Sequence, residues 1–137
     1  MNHHSQILVV GRDQMLLQTH RLILGTYFEV EAAGRISEAG SILSKREFDL
    51  IVLCDTLTDA ECQQVAGMVE HQKPKPTLLS LLGPGTKDHE RHIGRCMALK
   101  GGPLQLLREC ADVLGFDLRA KPNGRDAYLG HAARSRA

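Results

Sequence analysis

The chain has 137 residues, 42% of them apolar and 24% charged, and its 17 basic and 16 acidic side chains leave a formal charge of +1. That length holds one sizeable core and not two, and so even a balance supplies no field to gather nucleic acid or to steer an anionic substrate. The longest apolar runs, residues 7–10 and 50–54, are far too short to span a bilayer and no charged-then-apolar leader opens the chain, so a cytoplasmic protein with no nucleic-acid and no membrane partner is expected.

Ile7-Leu8-Val9-Val10 is an unbroken, β-branched run stopped by Gly11, which predicts a strand buried on both faces. Asp13 is placed to cap a helix whose inward stripe is Leu16, Leu17, His20, Ile23 and Leu24, closed by Gly25. Residues 27–32 suit a second strand, and Ser37 opens a helix with Ala39, Ile42 and Leu43 on one face, weakened by Gly40. Leu50-Ile51-Val52-Leu53-Cys54 is the most strand-like segment of all. From near Asp59 a third helix shows Cys62, Val65, Ala66 and Val69 at helical spacing.

Two prolines make Lys73-Pro74-Lys75-Pro76 a stiff connector. Residues 77–82 follow as a fourth strand, stopped by Gly83-Pro84-Gly85. Residues 86–92 leave room for only a short helix before Cys96-Met97-Ala98-Leu99, a weak fifth strand. Pro103 suits the first turn of a last helix, with Leu104, Leu107, Ala111 and Leu114 facing in and Gly115 ending it. Strand and helix alternate five times with short connections, which predicts an α/β protein with an open, doubly wound, five-stranded parallel sheet. Residues 1–115 make the domain. Residues 116–137 are a polar tail expected to be mostly disordered, with Phe116, Leu118 and Tyr128 as possible anchors.

The chemistry-bearing residues are sparse. Cys54, Cys62, Cys96 and Cys110 contain no Cys-x-x-Cys pair, so free thiols are expected. His89, His92 and Cys96 have a spacing that could bring three borderline-soft ligands together, but no fourth ligand is evident and no metal site is assigned. Gly83-Pro84-Gly85-Thr86-Lys87 has the wrong order for a phosphate loop and reads as a turn. His20 lies in an apolar stripe, where a partly exposed or hydrogen-bonded ring is the simpler expectation. The basic tail residues Arg119, Lys121, Arg125, Arg134 and Arg136 read as solvating.

The five strand–helix units, with Ile7-Leu8-Val9-Val10 opening the chain and Asp49-Leu50-Ile51-Val52-Leu53 at the third strand, resemble the response regulator receiver family over residues 5–115. The resemblance implies the flavodoxin-like receiver topology and a place in two-component signalling or a phosphorelay. It also implies a site: two acidic residues after the first strand holding magnesium, a phosphoaccepting aspartate ending the third, a hydroxyl ending the fourth and a lysine ending the fifth. Such a site needs oxygen ligands for a hard cation and a carboxylate nucleophile beside it.

Aligned without gaps, this chain has Gly11 and Arg12 at the acidic pair, with Asp13 one place late, and Cys54 at the phosphoacceptor, with Asp55 immediately after it. On an extended strand Asp55 would point to the opposite side. Leu81 stands at the hydroxyl position with Ser80 before it, and Lys100 matches the lysine. The segment between the fourth and fifth strands is short, so the fourth helix is expected to be cut down. The expectation is therefore a degenerate, stand-alone receiver that is not an enzyme, needs no cofactor or metal, and acts on protein partners without aspartyl phosphorylation. The face that receivers build from their fourth helix, fifth strand and fifth helix is then the candidate docking or homodimer surface, with Leu106 and Val113 exposed on it. Two alternatives stand beside this reading. Asp55 could accept phosphate through a shifted strand end with Asp13 as a single metal ligand, or Arg12, Cys54, Asp55, Ser80 and Lys100 could line a ligand-binding crevice in which Cys54 senses redox state.

Overall fold

Where the sequence alternates apolar runs with helical stripes, the computed structural model, which describes residues 5–83, 94–98 and 102–118, places the corresponding elements. These are β1 (Gln6–Val10), α1 (Gln14–Leu24), β2 (Glu29–Ala33), α2 (Ile36–Leu43), β3 (Leu50–Leu53), α3 (Asp59–Val69), β4 (Thr77–Leu82), β5 (Arg95–Ala98) and α4 (Pro103–Leu114). The five strands form one sheet in the order β2-β1-β3-β4-β5, and every pairing is parallel. The proposed short helix between β4 and β5, and the tail beyond Leu118 with Tyr128, lie outside the described residues.

Alternation along the strands divides the core in two. Ile7, Val9, Leu50, Val52, Cys54, Leu79 and Leu81 pack on one face with Leu17 and Leu24 of α1 and Leu106 and Cys110 of α4. Leu8, Val10, Ile51 and Leu53 pack on the other with Ala39 of α2 and Cys62, Val65 and Val69 of α3. All four residues of β3, and all four from Ile7 to the end of β1, are wholly buried, which explains why both runs are apolar without alternation. Each such side chain contributes about 1.5–3 kcal/mol by leaving water.

The helix ends are fixed by side chains that the sequence already displays. The Asp13 carboxylate accepts the N–H groups of Met15 and Leu16 at 2.9 and 3.2 Å. At α3, Thr58 Oγ1 accepts the Glu61 N–H while the Glu61 carboxylate accepts the Thr58 N–H, a reciprocal capping box. Gly115, with φ of +69°, turns the chain at the end of α4 so that the Phe116 N–H reaches the Ala111 carbonyl at 2.8 Å. That closure lays the Phe116 ring edge-on to Tyr27 and Phe28, with centroids 5.6 and 5.2 Å away, and Leu118 also packs against the core. The packed unit thus runs on through Leu118.

Three sequence expectations need correction. β2 begins at Glu29 and not at Tyr27, because the N–H groups of Tyr27 and Phe28 bond back to the Leu24 carbonyl and extend the end of α1. β5 begins at Arg95 and buries only Met97, leaving Cys96 exposed. On α4 the sheet takes Leu106, Leu107, Cys110 and Ala111, while Leu104 is 57% exposed and Leu114 only half-buried. The apolar arc of this helix is wider than the strip the sheet can cover, so spacing alone did not choose among its leucines. Leu106 and Val113 are consequently not available as an exposed docking pair: Leu106 is fully buried and Val113 packs against the core.

Candidate functional site

The strand order reverses direction between β1 and its two neighbours, β2 and β3, so the crevice outside the carboxyl ends of β1 and β3 is where an open α/β sheet places its site. Gly11 follows β1 and is buried, its N–H bonded to the Ala33 carbonyl at 3.0 Å. Cys54 follows β3, its N–H bonded to the Val10 carbonyl at 2.9 Å, so the two residues lie side by side. A Cβ on Gly11 would stand 2.8 Å from Cys54 Cβ, 2.9 Å from its Sγ and 3.2 Å from Thr56 Oγ1. Glycine is the residue that lets the strand ends approach this closely.

Arg12 turns outwards. Its N–H donates to Thr56 Oγ1 at 3.0 Å, and its guanidinium makes a two-pronged pair with the Glu61 carboxylate, Nε to Oε1 at 3.1 Å and Nη2 to Oε2. The side chain of Arg12 is 61% exposed and that of Glu61 13%. Hydrogen bonds from Arg12 and from the Thr58 N–H hold the Glu61 carboxyl below its ordinary value, and the same pair raises Arg12. Glu61 therefore closes the first turn of α3 and fixes Arg12 at the crevice mouth together.

Asp13 is exposed and occupied as the cap of α1. Cys54 is buried on the α1 side, with Sγ 3.9 Å from Nδ1 of His20. His20 itself is 3% exposed, so of the two forms expected for its ring, partly exposed or hydrogen-bonded, the structure shows the second, with Cys54 as the partner. Burial lowers its pKa, and the charge of Asp55 opposes that shift in part. Asp55 does not continue the strand: β3 stops at Leu53, and the Leu57 N–H bonds to the Cys54 carbonyl at 3.1 Å, so Asp55 sits in a turn. Its Oδ1 is out of contact with solvent and has no hydrogen-bond partner among the described residues, and its Oδ2 occupies the space a Cβ on Gly83 would need.

Ser80 is wholly buried within β4, opposite Leu53, and Leu81 is equally buried on the Cys54 face of the sheet. Lys100, His89 and His92 lie outside the described residues, so neither the lysine match nor the histidine cluster is placed. The structure brings together Gly11, Arg12, Cys54 and Asp55, and adds Thr56, Glu61, His20 and Gly83, which spacing had not assigned to the site. The capping box has a local signal in Thr58-x-x-Glu61 that the sequence reading did not single out; its second use, holding an arginine 49 positions earlier in the chain, carries no local signal. All four cysteines are free of disulfides. Among the described residues no helix is long and apolar enough to cross a membrane.

No protein-family model and no curated protein matches the sequence. Solved structures do match. The signal receiver domain of an HD domain-containing protein from Pseudomonas fluorescens Pf-5 superposes with a TM-score of 0.67 at 21% identity, over 82% of this chain and 96% of that one. This chain has the receiver fold. Chemotaxis protein CheY4 of Vibrio cholerae matches with a TM-score of 0.68 at 19% identity, over 81% of this chain and 99% of that one. A CheY-like receiver domain protein from Methanospirillum hungatei JF-1 gives 0.64 at 18%, over 82% and 95%. Within the receiver fold, the crevice at Gly11, Arg12, Cys54 and Asp55 lies at the carboxyl ends of β1 and β3.

Proposed function

We propose that this receiver-fold domain transmits a signal by contact with other proteins, without magnesium-dependent phosphorylation of an aspartate. The observation that carries the reading is the Arg12–Glu61 pair at the mouth of the crevice. A guanidinium stands where an acidic pair would hold magnesium, and the carboxylate nearest to it is already engaged. The donor set suits a hard divalent cation poorly: Gly11 has no side chain, Arg12 is a cation, Asp13 caps α1, and Cys54 offers a buried sulfur in place of a carboxylate oxygen. Restoring an aspartate at Gly11 would drive its Cβ into Cys54.

With Leu106 and Val113 turned inwards, contact through the last helix would fall to its outer residues, among them the exposed Leu104. Self-association through the neighbourhood of β5 and α4 is one form the contact could take.

A second reading has one observation in its favour. Asp55 Oδ1 has no hydrogen-bond partner among the described residues, so Asp55 is the available phosphoacceptor if the pocket is active. Intact-mass measurement after treatment with acetyl phosphate and magnesium decides between them. The proposed function predicts an unchanged mass. A phosphoryl adduct that disappears in Asp55→Ala would replace it with the second reading.

A further inference from the structure

Met15 and Leu22, two turns apart on α1, are the most exposed of the large hydrophobic residues among those described, at 80% and 73%. Apolar side chains left uncovered along one stripe mark a surface that takes a partner. Leu22 lines a groove of about 400 Å³ between α1 and β2, together with Phe28, Val30, Gln18, Arg21 and Glu29. β2 is an edge strand, so no further strand lies beyond it in the sheet. Arg21 and Glu29 are exposed and have no ion-pair partner among the described residues. The groove therefore offers apolar contact and one unpaired charge of each sign. It lies at the amino end of β2, away from the crevice at the carboxyl ends of the strands.

The chain itself carries a segment that fits. The Phe116 ring packs edge-on to Phe28 of the groove, and Leu118 packs on the same cluster, so residues 119–137 set out from beside it. Residues 1–118 hold 12 basic and 15 acidic side chains, whereas residues 119–137 hold five basic and one acidic. A positive segment is thus tethered to a negative domain, and the tether makes their attraction intramolecular. The large apolar residues of the segment are Tyr128 and Leu129, preceded by Arg125 and Asp126, and Pro122-Asn123-Gly124 before them is a turn signal. The ten residues from Leu118 to Tyr128 reach up to about 33 Å, and the whole of α1 is only about 16 Å long. We propose that residues 125–129 fold back into the α1–β2 groove of their own domain, with the Tyr128 ring against Leu22 and Val30, Arg125 on Glu29 and Asp126 on Arg21. The docked segment covers Leu22, so a partner that needs this face of α1 must first displace it. This inference does not depend on how the crevice is used.

The test is NMR of the full chain with labelled leucine and valine methyls and labelled tyrosine rings, the Tyr128 ring being assigned by its absence in Tyr128→Ala. Docking predicts cross-relaxation between the Tyr128 ring and the methyls of Leu22 and Val30. It also predicts ring shifts unlike those of a synthetic peptide of residues 119–137. Leu22→Asp, a change at an exposed position, should abolish the cross-peak to Val30 and return the ring to its peptide shifts. Glu29→Lys, which sets a cation against Arg125, should weaken the cross-peaks several-fold. A Tyr128 ring with peptide shifts in the unaltered protein, or cross-peaks that survive both changes undiminished, overturns the proposal. So does a cross-peak found only between differently labelled copies in a mixed sample, which would give the groove to a second molecule. Should Leu22→Asp fail to fold, Glu29→Lys decides, since that carboxylate is exposed and unpaired.

Discussion

Placing an alanine at Gly11 probes the spacing on which the crevice depends. The new Cβ would lie 2.8 Å from Cys54 Cβ and 2.9 Å from Sγ, inside van der Waals contact, while Gly11 has no left-handed backbone to complicate the change. Relief demands that β1 and β3 part, or that Cys54 be pushed towards His20 in a region already closed to solvent. Overpacking of this kind costs about 1–3 kcal/mol. For a domain of this size that is a fall in Tm of roughly 3–15 °C. Differential scanning calorimetry of Gly11→Ala measures it, and a cycle with Cys54→Gly assigns it. Because Cys54→Gly removes both crowded atoms, the double variant should be more stable than the two single losses added together, with a coupling of about 0.5–3 kcal/mol. A Gly11→Ala protein that melts with the wild type, or two changes whose effects simply add, would show that these strand ends do not touch as described. The larger Gly11→Asp change should lose still more.

Other consequences are simpler to check. Asp13→Ala should cost about 0.5–2 kcal/mol in urea denaturation through loss of the α1 cap, whereas Asp13→Asn, which keeps an accepting oxygen, should be close to neutral. Leu106→Ala should cost about 2–5 kcal/mol and Leu104→Ala no more than about 0.5 kcal/mol, because the first is buried and the second exposed; equal losses would mean that α4 is rotated. Arg12→Ala should let the Glu61 carboxyl pKa rise towards its ordinary range, read by carbon-detected NMR titration, since Arg12 is the main reason it is low. The His20 ring has a folded-state pKa below its unfolded value of about 6.5. Above that pH both states leave it neutral and it has no effect; below it the unfolded chain binds the proton first. Its contribution to stability therefore declines as pH falls from about 6.5 to the folded pKa, and His20→Leu should flatten that part of the stability profile.

The fold was legible because its strongest signals are local. β1 and β3 announce themselves as unbroken apolar runs, and Asp13, Pro103 and Gly115 mark helix ends by chemistry that acts over three or four residues. β4 was found at its observed bounds for the same reason. The errors fall where tertiary packing selects among equivalent choices: which leucines of α4 meet the sheet, and how far Tyr27 and Phe28 belong to the end of α1. The site was half legible. Gly11, Arg12, Cys54 and Asp55 could be named from the ends of their strands, but an extended strand was the wrong geometry for Asp55, and a buried His20 against Cys54 depends on how α1 lies over β3. Arg12 with Glu61 joins two strand–helix units, and no spacing rule within one unit could have paired them.

Whether a divalent ion can settle beside Arg12 is best read directly, by adding magnesium and then beryllofluoride at millimolar concentrations to isotope-labelled protein and following the amides of Gly11, Arg12, Asp13 and Asp55. Contact signalling without phosphate predicts that these resonances stay where they are. Saturable shifts at the four residues would contradict it and return the crevice to metal-dependent phosphoryl chemistry.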